Sequence, residues 1–168
     1  MPSFVLSRNQ VLALIAVTLA LHDTEEYFAF PAFIASATTR QIAPWLPAPA
    51  LQHSMTNLHV ALILATVLPA IFIVWAIFSP RHWLLIAALL VEAVLLVNAF
   101  AHSLTAIALR RYVPGLVTAV LINLPFGIYV FRRAVRDNWI RRRVAWQLIV
   151  IALVLHVVWL GSAVLRRH

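Results

Sequence analysis

The sequence predicts an all-α membrane protein, a compact bundle of about five transmembrane helices. Three observations lead there. Apolar stretches long enough to cross a bilayer core of about 30 Å, which takes roughly 20 helical residues, recur along the chain. Of its 168 residues 64% are hydrophobic and only 11% charged, against about 25% charged in an ordinary soluble domain, and the mean hydropathy is +0.95. Finally, three of the five acidic residues fall together in His22-Asp23-Thr24-Glu25-Glu26, inside a long apolar stretch.

Five spans follow in order, making one transmembrane domain over residues 1–168. The first is expected over 9–38, with residues 22–26 near its middle and Pro31 in its second half, where it kinks or ends the helix. The second is expected over 51–78 with Pro69 inside, and the third over 82–109. Neighbouring helices satisfy the carbonyls that such prolines free at membrane depth. The fourth is expected over 114–131, opened by Pro114 in its first turn. The fifth is expected over 144–165. Residues 39–50, with Pro44, Pro47, Pro49 and Trp45, read as an interfacial loop with the indole at head-group level. No internal repeat is visible.

Composition excludes several classes. A β-barrel needs alternating polar and apolar residues, and segments 84–90 and 148–155 do not alternate. The chain has no cysteine, so neither disulfides nor thiolate ligands are available. All thirteen basic residues are arginine, and the formal charge is +8. Without a soluble basic module this charge reads as head-group contact rather than nucleic-acid binding. Arg8, Arg81, Arg132, Arg133, Arg136, Arg141, Arg142 and Arg143 fall on one side; Arg40, Arg110, Arg111, Arg166 and Arg167 fall on the other. The excess places the N-terminus in the cytoplasm, in a membrane whose all-arginine composition suggests a bacterial, GC-rich source. The cluster over 132–143 reads as a head-group anchor. The apolar N-terminal run has the outline of a signal peptide but no small-residue cleavage site, so a retained first helix is expected.

The polar groups at depth carry the function. A charged side chain at the bilayer centre costs about 2.5–3.5 kcal/mol on insertion scales. On a helix, His22, Glu25 and Glu26 stand at i, i+3 and i+4 and share a face, while Asp23 points aside or to another helix. Histidine with glutamate one turn away is a spacing used by metal sites in helical bundles, there in the reverse order. Other spans add Asn57 and His59, then Glu92, Asn98 and His102, then Asn123, then His156; for His156 alone a packing role is the simpler reading. In five alternating helices, His59 and His102 both fall roughly 10–12 Å from the outer side and Glu26 about a turn deeper. A cluster of His22, Glu25, Glu26, His59, Asn98 and His102 in the outer half is the expectation. Glu92 lies about 15 Å along a straight helix from His102, so it would face the group from the inner side, form a sub-site or relay protons.

The ordered set His22-x-x-Glu25-Glu26, Asn98-x-x-x-His102 and Tyr112-x-Pro114-Gly115 resembles the HXXEE membrane protein family. His59 is similar to a further histidine of that family, and nothing after Gly115 matches a motif. The family's function is unassigned, so the resemblance implies a site and names no reaction. At the third motif, Gly115 permits close approach and Tyr112 is expected at the interface as an ordinary interfacial tyrosine, from which its hydroxyl could cap the site from the outer side.

Three readings stay open. In the first, the chain is a metal-dependent enzyme acting on a lipid or other apolar molecule, as hydrolase or oxidoreductase. His22, Glu26, His59 and His102 would ligate Zn, Fe or Mn, with Glu25, Glu26, Glu92 and Asn98 as catalytic groups. In the second, it is a metal-free isomerase or cyclase with Glu26 as acid, His22 as base and aromatic rings around a cation. In the third, it is a small transporter or proton relay that forms a homo-oligomer.

Overall fold

Ser7 starts the first helix with a reciprocal capping box. Its hydroxyl accepts from the Gln10 amide at 3.2 Å, and the Gln10 side chain accepts from the Ser7 amide at 2.6 Å. The computed structural model describes residues 6–36 and 48–165, with side chains over 6–36 and 57–158. Residues 39–47 of the expected loop, Arg40 and Trp45 among them, lie outside the described residues, as do Arg166 and Arg167, and its last three residues, 48–50, are already helical.

The described residues form five helices and no strand. Helix α1, Arg8–Ala35, continues through Pro31. Helix α2, Ala48–Phe78, contains Pro69, and α3 is His82–Leu109. Helix α4, Leu116–Arg136, is interrupted by a π-helical stretch, Ala119–Asn123. Helix α5 is Arg142–Leu165.

Helix α4 departs from expectation at both ends. It starts at Leu116, because Gly115 has a φ of +82° and breaks the helical path after Pro114. It passes Phe131 and runs to Arg136, and Asn138, just past the Asp137 cap with a φ of 57°, closes the end. There Trp139 N–H reaches Ala134 O at 2.8 Å and Asn138 N–H reaches Val135 O at 3.2 Å, a Schellman closure. The π stretch has a local cause. Pro125 brings no N–H and crowds the preceding turn, and the Leu124 amide bonds Ala119 O, five residues back.

Helix α3 lies at the centre and touches each of the other four. Leu84, Ala88, Leu89, Ala93, Leu96 and Ala99 line its buried faces. The outside is apolar: Phe28, Phe78, Leu104, Ile107 and Leu121 are all exposed. His22, Glu92 and Asn123 are inside. That inversion suits lipid as solvent, and Asn57–Phe78, His82–Leu109 and Leu116–Arg136 are long and apolar enough to cross a membrane.

The arginine cluster divides. Arg132, Arg136, Arg141, Arg142 and Arg143 are exposed, whereas Arg133 is buried among protein partners. It donates to Asp137 at 3.0 Å, to the Tyr129 hydroxyl at 2.6 Å and to the Leu6 carbonyl, tying the end of α4 to the entrance of α1. Arg136 and then Arg133 hold the Asp137 carboxyl below its ordinary range.

Candidate metal centre

Three helices build the site. From α1, His22 and Glu26 point into the bundle. From α3 come Asn98 and His102, and α4 closes the space with Gly115 and Thr118. Glu26 Oε1 lies 2.9 Å from His102 Nε2 and 3.6 Å from His22 Nε2. One ligand atom from each of His22, Glu26 and His102 falls within 4.8 Å of the other two. Donors around a tetrahedral ion with bonds of about 2.0 Å stand roughly 3.3 Å apart, and the two separations from Glu26 straddle that value. The donor set, two imidazoles and one carboxylate, suits Zn, Fe or Mn.

Hydrogen bonds fix the His22 ring. Thr118 Oγ1 lies 2.7 Å from Glu25 Oε2 and 2.8 Å from His22 Nδ1. A carboxylate only accepts, so the Thr118 proton goes to Glu25 and His22 Nδ1–H donates to Thr118. The remaining nitrogen, Nε2, keeps its lone pair, which accepts from Asn98 Nδ2 at 2.8 Å. A carboxylate reaching a ring N–H through a hydroxyl is the outer support that ligating histidines use.

Glu25 therefore works outside the group. It accepts from Tyr112 O–H at 2.7 Å, Val117 N–H at 3.0 Å, and Thr118 N–H and Oγ1–H at 2.7 Å each. These backbone donors are free because they open α4, where the helix dipole also favours an anion. Tyr112, in the turn before α4, has its phenol pushed upward by burial and then by its bond to Glu25.

Gly115 explains the third motif. A Cβ there would lie 2.7 Å from His22 Cε1 and 3.1 Å from Glu26 Cγ. The turn thus needs glycine for its φ of +82° and again for the approach of both side chains.

The other candidates lie apart. His59 stacks on Tyr27 with ring centres 4.1 Å apart and stands outside the His22, Glu26 and His102 group. Asp23 turns to α2 and accepts from Thr66. That contact lines a cavity of about 160 Å³ on the α1–α2 seam, with Tyr27 and Phe28. Glu92 is fully buried further along α3, against Gly127 of α4. Asn57 is exposed, and His156 of α5 lies within electrostatic range of His102. Thr118 escaped the sequence reading; its only signal was its place three residues after Gly115, in a first helical turn.

Fold and site together define an all-helical, membrane-type bundle with a His/Glu group in its interior. Residues 13–130 match the model of a family described as a protein of unknown function with HXXEE motif, and the chain belongs to that family. No curated protein and no solved structure matches the chain.

Proposed function

We propose that His22, Glu26 and His102 hold one divalent ion, and that the chain is a multi-pass membrane enzyme acting on a lipid-like or other apolar molecule. The observation that carries this reading is the convergence of those three donors within 4.8 Å, from two helices, in a buried setting. A divalent ion would offset the Glu26 charge and supply Lewis-acid polarisation. Asn98 meets His22 Nε2 from α3, a bond that the ion would replace, while Thr118 and Glu25 hold the far nitrogen of His22. The seam cavity beside Asp23, rimmed by exposed Phe28 and Ile63, offers an apolar molecule a place on the lipid side of α1, one turn from Glu26. The exposed arginines at the α4–α5 turn support a cytoplasmic N-terminus in a bacterial membrane.

Metal analysis of the detergent-purified protein tests the reading. We expect one Zn, Fe or Mn per chain, lost in His22→Ala, His102→Ala and Glu26→Gln but retained at lower affinity in Glu25→Gln. No metal in the wild type after reconstitution with each ion overturns it. The Glu26–His102 contact of 2.9 Å also favours a second reading, metal-free acid–base isomerisation. That reading gains if Glu26→Gln abolishes turnover of a co-purified lipid by metal-free protein.

A further inference from the structure

Glu92 and Asn123 stand out among the buried groups that the His/Glu site does not use. Glu92 is 0% exposed and Asn123 1%. Among the described residues, neither Glu92 oxygen and neither polar atom of the Asn123 amide has a hydrogen-bond partner. Buried polar groups are almost always paired, so an orphaned carboxylate and an orphaned carboxamide ask for a ligand.

Helical spacing brings the two toward one interhelical space. Glu92 Oε1 lies 3.0 Å from where a Cβ on Gly127 would stand, so the carboxylate reaches α4 at that glycine. Asn123 is one turn before Gly127, and both are buried. Asn123 also ends the π-helical stretch. In the register set by Leu124 N–H to Ala119 O, the next carbonyl, Val120, would need the N–H that Pro125 lacks. Non-α backbone beside a buried carboxylate at membrane depth is a setting in which membrane proteins hold small ions.

We infer that Glu92 and Asn123 form a second site, separate from the His/Glu group, that binds one monovalent hard cation between α3 and α4. The charge count selects the class. One carboxylate and one neutral amide carry a single negative charge, which a monovalent ion balances and a divalent ion would exceed. The donors are all oxygen, with no imidazole, which disfavours the transition metals suited to His22 and His102.

Sodium is the probe. Purified protein in detergent is unfolded thermally in NaCl and in choline chloride at equal ionic strength. Sodium should raise the wild-type midpoint with the logarithm of its concentration above the dissociation constant, by roughly 5–10 °C at a hundred times that constant. Glu92→Gln should lose that increment, and His102→Ala should keep it, which separates this site from the metal centre. Should Glu92→Gln not fold, Gly127→Ala serves, since its methyl group meets Glu92 Oε1 and Leu96 Cδ1 at 3.0 Å each. It should shift the sodium dependence about tenfold to higher concentration, a change of 1.4 kcal/mol. No sodium response in the wild type, as for a carboxylic acid that keeps its proton, overturns the inference. So does an equal response in wild type and Glu92→Gln.

Discussion

Thr118 Oγ1 stands 2.8 Å from His22 Nδ1, and this one contact decides which nitrogen of His22 is free. Because the same hydroxyl donates to Glu25 at 2.7 Å, it receives from His22 and leaves Nε2 with the lone pair that Asn98 Nδ2 meets at 2.8 Å, on the side where Glu26 Oε1 stands 3.6 Å away. Thr118 is a positioning residue, acting through His22.

Replacing Thr118 by valine keeps the shape and removes the hydroxyl. Metal affinity should fall about 10–100-fold, the usual effect of losing an outer partner, and Thr118→Ser should restore it. Nitrogen NMR of His22 should report the proton on Nδ1 in the wild type and a mixture in Thr118→Val. An unchanged tautomer in the valine variant would refute the positioning role.

Gly115→Ala should be severe. The left-handed backbone alone costs a non-glycine residue roughly 1–2 kcal/mol, and the new methyl group would lie 2.7 Å from His22 Cε1. Thermal unfolding should drop by several degrees, and bound metal should be lost with it because His22 must move. A variant with full stability and full metal content would contradict the geometry.

The Tyr112 phenol titrates above its ordinary range, first from burial and then from its bond to Glu25. The unfolded chain ionises this group near its ordinary value and the folded protein does not. Its contribution is thus fully present below that value and is lost as pH rises beyond it. The ultraviolet titration of the wild type minus that of Tyr112→Phe should show a phenol ionising above its ordinary range. Stability near neutrality should change little in the phenylalanine variant, since Glu25 keeps three other donors.

Arg133 and Arg132 are neighbours with opposite fates. Arg133 holds Asp137, Tyr129 and the Leu6 carbonyl, whereas Arg132 is exposed. Arg133→Ala should lower the melting midpoint clearly and loosen the start of α1, readable as faster amide exchange there. Arg132→Ala should leave both unchanged. Equal effects would mean that both serve only as surface charge.

Much of this protein is set by its sequence. Hydropathy and length define the helices, because lipid leaves backbone groups no partner outside a helix. The concentration of charge at residues 22–26 pointed to the helix that carries two of the three grouped donors, since such groups are costly at depth without a role. The spacing of Asn98 and His102 put both on one face of α3. What the sequence could not assign was which group meets which. His22, Glu25 and Glu26 share a broad helical face, yet the roughly 100° between consecutive residues around α1 sends Glu25 to the amides that open α4 and Glu26 to His102. His59 falls at a matching depth but stacks on Tyr27. Depth fixes one coordinate along the bilayer normal; helix rotation and neighbour order fix the other two, and both come from packing. Thr118 drew its role wholly from that packing, because a hydroxyl in a first helical turn means little until a histidine from another helix lies beside it.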